Sequence, residues 1–184
     1  MGKRFFVPIA AVAGAGALLA VLVISMDRPA RAQRHVSPEA SASVTIAGKK
    51  ISVDYYAPSM YGRKIMGGLV PFNEVWCTGA NFATAITSDA DLDFGGVKVP
   101  KGRFSIWTIP TAQDWTLILN HQTGQSHLFY DESRDIGRTK MNVKTLLRPV
   151  ETFRIELRPG EGSSGTLALI WEQTEASIPF TVGK

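Results

Sequence analysis

The sequence predicts an all-β protein: a single antiparallel β-sandwich or jelly-roll-like domain of about 8–11 short strands, preceded by an N-terminal apolar export or anchor helix. Three observations predict it. Short runs rich in Val, Ile, Thr and aromatic residues recur between Gly- and Pro-containing turns, the spacing of a sandwich. Beyond residue 32, no run longer than a turn or two carries apolar residues at helical spacing. Cys77 is the lone cysteine of the 184-residue chain, so no intramolecular disulfide staples the fold and a core must hold it.

Residues 1–32 form the export segment. Lys3 and Arg4 precede Phe5–Ser25, a run without charge, and Ala30-Arg31-Ala32 offers a small-x-small cleavage site before Gln33. That order is the one a secretory signal peptide requires. An uncleaved anchor is the alternative, because the uncharged run is long enough to span a bilayer as a helix of ~20 residues. Lys3 and Arg4 favour an inside N-terminus, but Arg28, Arg31 and Arg34 crowd the far side, so charge does not decide. Either way the rest of the chain is expected outside the inner membrane, periplasmic or extracellular. The formal charge of +4 falls to +1 once Lys3, Arg4, Arg28 and Arg31 are set against Asp27 and removed. Nucleic acid as a partner then loses its electrostatic basis.

Residues 33–42 read as a polar lead-in with Pro38, and residues 43–184 as one β domain. Val44–Ile46 and Ile51–Tyr56 flank Ala47-Gly48-Lys49-Lys50, a hairpin connection. Phe82–Ser88, Asp91–Phe94, Val97–Val99, Arg103–Ile109 and Trp115–Asn120 continue the series. Alternation over 138–145 and again over 153–158 gives two strands with one wet face each. Leu167–Trp171 and Ile178–Val182 close the chain.

Between the second and third of these strands lie 25 residues, Ala57 to Asn81, with neither helical nor strand periodicity. Structureless connections beyond ~12–15 residues are uncommon inside a compact domain. This one carries Met60, Tyr61, Ile65, Met66, Leu69, Val70, Phe72, Val75 and Trp76, far too much apolar material for a linker. It reads as an ordered loop anchored on the core, with Gly62, Gly67, Gly68 and Gly79 supplying the positive φ angles and Pro58 and Pro71 stiffening the path.

The motifs YAPSMYGRKIMGGLVPFNEVWCTGAN, GGVKVPKGRFSIWTIP, DWTLILN and LALIWEQTEASIPF occur in order. Over roughly residues 38–182 the chain thereby resembles the bacterial domain-of-unknown-function family 2911. The resemblance implies a small exported β domain and no established activity. The family's loop pattern carries charges where this chain has Ala57, Cys77 and Phe82, so a role resting on an arginine–carboxylate cluster does not carry over. The matching positions include Pro58, Arg63, Trp76, Gly79 and Asn81.

Five loop residues are candidates for ligand binding: Arg63, Tyr61, Phe72, Trp76 and Asn81. A planar guanidinium at Arg63 suits a carboxylate or phosphate; its structural alternative is capping loop carbonyls. Asn81 tolerates turn geometry, so a turn-stabilising amide competes with a ligand contact. Tyr61, Phe72 and Trp76 are loop aromatics, fairer for a ligand surface than Trp107, Trp115 and Trp171, whose strands read as buried. Tyr55 and Tyr56 point to opposite faces of their strand.

Catalytic and metal assignments find no support. Cys77 needs an adjacent base to act as a nucleophile, and His121 and His127 are distant in sequence; burial as a small apolar group is the expectation. His121, His127, Asp131 and Glu132 do not have zinc-ligand spacing. Asp89, Asp91 and Asp93 are followed by Phe94 and Pro100 where a calcium loop needs glycine and glutamate. No cofactor is implied.

The sequence therefore favours a non-enzymatic module that binds a small molecule, glycan or envelope protein through residues 57–81, with a membrane contact only through the N-terminal segment. An envelope hydrolase using Arg63, Asn81 and a histidine is the second expectation. A structural protein whose loop closes one end of the fold is the third. Exposure of the loop side chains discriminates among them.

Overall fold

The computed structural model describes residues 36–183, so the expected export or anchor helix within residues 1–32 lies outside the described residues. The described residues form nine strands: β1 (Glu39–Ile46), β2 (Lys49–Tyr56), β3 (Thr84–Ser88), β4 (Leu92–Phe94), β5 (Val97–Val99), β6 (Gly102–Pro110), β7 (Trp115–Asn120), β8 (Asp135–Pro159) and β9 (Ser164–Val182). A 3₁₀ turn, Glu132–Arg134, precedes β8. Among the described residues, no helix is long and apolar enough to cross a membrane.

All nine strands join one continuous antiparallel sheet in the order β1-β2-β3-β6-β7-β8-β9-β4-β5. The all-β, antiparallel class is as expected; the expectation that every strand would be short is not met. β8 runs for 25 residues and β9 for 19, each uniting two runs that the alternation pattern separates. Pro149 looks like a terminator, yet the strand continues through it by shifting register between Thr145 and Val150 and again before Arg154. Proline is tolerated at such irregular points because no ladder N–H is required there. Opposite this break, Glu172 of β9 has a φ of 52°.

β8 also explains how one sheet makes a core. It pairs with β7 up to Met141 and with β9 from Asn142 onward. The sheet consequently folds back, and β1 packs against β8 and β9 without being their hydrogen-bonded neighbour. Inward residues of every layer meet in one cluster that includes Ile51, Val53, Tyr55, Ile106, Leu117, Phe153, Leu169 and Trp171. Each such aliphatic or aromatic side chain contributes ~1.5–3 kcal/mol on burial.

Two local features follow the alternation rule. β1 and β2 are joined by Ala47 and Gly48, at φ 49° and 75°, the doubly left-handed turn whose twist matches a hairpin. β1 begins at Glu39, inside the segment read as a polar lead-in. The Glu-Ala-Ser-Ala-Ser sequence hides it, since alternating small and polar residues suit a strand at the sheet edge.

A second, smaller cluster lies on the other face, where Cys77 and Ala83 pack on Trp107 of β6 and Ile118 of β7, with Tyr130 against them. The strands β6 and β7 are therefore covered on both sides. Farther along the same face, β1, β2 and β3 are not covered in this way, and that difference sets the site.

Candidate functional site

The residues of the 57–81 loop are tied to the sheet at successive points. The Met60 amide donates to the Glu151 carbonyl at 2.9 Å and Phe153 returns a bond to Pro58 at 2.8 Å. The Ser59 and Thr152 hydroxyls meet at 2.8 Å. The Glu172 carboxylate accepts from the Ile65 and Met66 amides at 3.2 and 3.1 Å. Asn73 donates to Pro110, and Trp76 exchanges a pair of bonds with Thr108. Ile65, Met66 and Val70 are buried in the main core. These contacts satisfy the backbone that an irregular path would otherwise leave unpaired.

Glycine matters at two loop positions for different reasons. Gly67 has a φ of 72°, which favours a residue without Cβ, and an added Cβ would lie 2.6 Å from the Phe72 ring. Gly68 is not left-handed; a Cβ there would meet the Lys64 carbonyl oxygen at 2.6 Å, so close approach is what requires it. Gly79 likewise has no positive φ. The remaining left-handed positions are taken by Tyr61, Gly62, Asn73, Thr78 and Asn81.

The five loop candidates occupy distinct environments. Arg63 donates to the Met60 and Ser59 carbonyls at 2.9 and 2.7 Å, and its guanidinium carbon lies 5.9 Å from the Tyr61 ring centroid. Tyr61 itself is exposed, and its amide donates to Glu151 Oε1 at 2.8 Å. Phe72 is half-buried against the main core. Trp76 stacks on Trp171 at 5.9 Å and meets Trp115 and Phe153 edge-on at 6.0 and 5.3 Å. Its indole N–H donates to the Gly79 carbonyl at 3.2 Å. Asn81, at φ 60°, donates weakly to Ser37 and accepts from the His127 amide at 3.0 Å. Residues 61–63 thus form one exposed corner, while Phe72 and Trp76 point into the fold.

A different surface is open. On the outer face of β1, β2, β3 and β6 lies a groove of about 700 Å³. Its floor is made by Ala83 and Ala85, small residues that leave space. One end is polar: Arg103 of β6 reaches across β3 to Asp54 of β2 at 2.7 Å, donating to Thr87 on the way at 3.0 Å. Both side chains remain about half exposed. The other end is aromatic, with the Tyr56 and Phe82 rings 6.0 Å apart and inclined by 37°. Phe82 is 48% exposed. The Tyr56 hydroxyl donates to Glu39 at 2.8 Å, and that carboxylate holds the phenol above its ordinary pKa.

A model of the family described as "Protein of unknown function (DUF2911)" matches residues 37–180. The chain belongs to this family. No curated protein and no solved structure matches it.

In this DUF2911 domain, the lone thiol is structural in its surroundings. Cys77 is buried beside Ala83, Trp107 and Ile118, and desolvation pushes its pKa up to about 12. His121 packs edge-on against Phe104 at 5.6 Å. Among the described residues, no three His, Cys, Asp or Glu side chains are placed to hold a metal ion. Asp91 and Asp93 accept from the Lys101 and Gly96 amides, so they shape turns.

Two charge clusters of the DUF2911 domain also serve the fold. Glu175 is buried, accepts two bonds from Arg158 at 2.9 and 3.1 Å, and lies 3.1 Å from Lys144. These partners, Arg158 first, hold its carboxyl below the usual value. Tyr130 donates to Asp135 at 2.7 Å while Arg138 bonds both; burial is the main cause that raises the tyrosine pKa. This network holds the Tyr130 ring against Trp107, 5.1 Å between centroids.

Sequence reasoning put Tyr55 and Tyr56 on opposite faces of their strand, without saying which faces solvent, and did not bring the groove together. Asp54 and Arg103 are 49 residues apart, and only the β2-β3-β6 pairing makes them neighbours. The available signal was the alternation of β2, which puts Ser52, Asp54 and Tyr56 on one face.

Proposed function

We propose that this domain is a non-enzymatic ligand-binding module that acts outside the inner membrane, with the groove over β3 as its binding surface. The observation that carries the reading is the groove itself: a concave face with an aromatic end, a half-exposed ion pair and a floor of alanines. Its lining mixes polar and apolar groups in equal measure, and a concave site with aromatic contacts and a few placed polar groups suits a small ligand. The 57–81 loop leads directly into the groove, because Phe82 follows it and Ala83 packs beside Cys77. Trp76 and Cys77 fix the chain that leads to Phe82, and the single antiparallel sheet, folded back over its core, holds β2, β3 and β6 side by side. Tyr61 and Arg63 form a second exposed corner, and neither lines the groove.

A structural role for the loop is favoured by its buried Ile65, Met66 and Val70, and it is compatible with binding elsewhere. An enzymatic reading has less to rest on, because the thiol is buried with a raised pKa.

The test uses ¹⁵N-labelled protein lacking residues 1–32 and a panel of neutral oligosaccharides, short peptides, nucleotides and fatty acids. Saturable shifts of the Tyr56, Ala85 and Arg103 amides by at least one class are expected. No saturable shift at those amides with any class overturns the reading. Export has its own check: mature protein from an export-competent bacterium begins at Gln33 if the segment is cleaved, and retains its N-terminus in the membrane fraction if it is an anchor. Full-length soluble cytoplasmic protein would contradict both.

A further inference from the structure

Resting on the assignment of the groove as the binding surface, we infer that its ligand is a neutral carbohydrate. The charges decide first. Glu39 and Asp54 face Arg103 in the lining, a formal excess of one negative charge. The arginine is already held by Asp54 and Thr87. Its charge is thereby offset, so among the described residues no cation without a counter-charge lines the groove to draw in a phosphate or carboxylate, and the second carboxylate, Glu39, repels one. Nucleotides, fatty acids and acidic peptides are therefore disfavoured.

The polar end matches hydroxyl groups in particular. An ionised carboxylate only accepts hydrogen bonds and a guanidinium only donates them. Asp54 and Arg103 present these two functions side by side, and both are half exposed, so unused lone pairs and N–H groups face the groove. A sugar hydroxyl donates and accepts at once, and adjacent hydroxyls on one ring can satisfy both partners together. A cationic amine would be drawn to Asp54 and Glu39, but it only donates, so it would leave the Arg103 N–H groups unmet and be opposed by that charge.

The aromatic end supplies the complementary contact. The C–H face of a pyranose is apolar, and Phe82 offers an exposed ring beside Tyr56. The Glu39 bond to the Tyr56 hydroxyl fixes that ring before any ligand arrives, which reduces the ordering cost of binding. The alanine floor leaves room for a ring to lie between the two ends. Phe82 and Tyr56 are thus assigned as the stacking residues, and Asp54 with Arg103 as the hydroxyl fork.

The experiment titrates ¹⁵N-labelled protein lacking residues 1–32 with cellohexaose, maltohexaose, chitohexaose and a sulfated oligosaccharide, alongside the peptide, nucleotide and fatty-acid panel. At least one neutral hexaose is expected to shift the Tyr56, Ala85 and Arg103 amides saturably. Phe82→Ala and Arg103→Lys are each expected to weaken it roughly tenfold. Thermal unfolding verifies that both variants are folded, and Phe82→Tyr should retain binding. If only peptides, nucleotides or fatty acids shift the groove amides, the carbohydrate inference is overturned while the groove stands. If nothing in the panel does, both are overturned. Tighter binding of the sulfated sugar, or neutral-sugar binding indifferent to both substitutions, also contradicts the assignment.

Discussion

The 57–81 loop and the groove over β3 contain the same kinds of residue, aromatics with an arginine, and use them in opposite ways. In the loop, Trp76 is stacked within an aromatic group of Trp115, Phe153 and Trp171, and Arg63 is bound to loop carbonyls. In the groove, Phe82 and the Asp54–Arg103 pair stay about half exposed. The lesson is that residue type alone does not mark a working surface. What matters is whether the polar and apolar capacity of each side chain has been used up by the fold.

That contrast is most severely tested at Trp76. Trp76→Ala should destabilise the domain by ~3–5 kcal/mol, the range for losing a large packed aromatic, measured by urea unfolding. A loss below ~0.5 kcal/mol would place Trp76 among surface residues and return the loop to the ligand-binding surfaces. Next in size is the clamp from β9. Glu172→Ala removes a carboxylate from two loop amides and should cost ~2–3 kcal/mol, since hydrogen bonds to charged groups are the stronger kind. Faster hydrogen exchange at residues 65–70 should accompany it; unchanged exchange would show that apolar burial alone holds the loop.

Cys77→Ser comes third. A hydroxyl placed among Ala83, Trp107 and Ile118 without a partner costs ~1–2 kcal/mol. With its pKa at about 12, the native thiol should be alkylated far more slowly at neutral pH than the denatured one. Rapid native alkylation with no loss of stability would make Cys77 an accessible reactive group.

Acid titration sharpens the comparison through a charge that the fold has consumed. The Glu175 carboxyl has a lowered pKa in the folded protein, chiefly through Arg158. Its contribution is therefore present above the unfolded value of ~4.3 and is lost as pH falls through the lower folded value. Urea midpoints should drop over that acid window, and Glu175→Gln should flatten the drop. The same pH slope in wild type and variant would assign acid sensitivity to other carboxylates. Smallest of all is the expected stability change for Phe82→Ala, within ~0.5 kcal/mol of the parent by urea unfolding. A large loss would mean that Phe82 is framework rather than binding surface.

Much of this was legible in the sequence, for physical reasons. Strict alternation in β2 separated Tyr55 from Tyr56: the first packs edge-on against Phe153 at 5.7 Å, the second faces the groove. The apolar content of the loop told of its anchoring, because such side chains cannot stay in water. The length of β8 was not legible, since a register shift around Pro149 looks in sequence like two strands with a break. The groove was not legible either. Its polar end joins β2 to β6 across β3, and no local pattern encodes which strands become neighbours. Gly68 shows a third kind of gap, because its requirement comes from contact with the Lys64 carbonyl and not from its own backbone angle.

The central claim, a loop consumed by the fold beside a groove left open, can be read in one hydroxyl-radical footprinting experiment on the protein lacking residues 1–32. Oxidation at each side chain is compared with that of the same side chain in the urea-unfolded protein. The account predicts strong protection of Met66, Trp76 and Trp171, together with near-unfolded labelling of Phe82 and substantial labelling of Tyr56. Labelling of Met66 and Trp76 at the unfolded level, with Phe82 and Tyr56 protected, would contradict it.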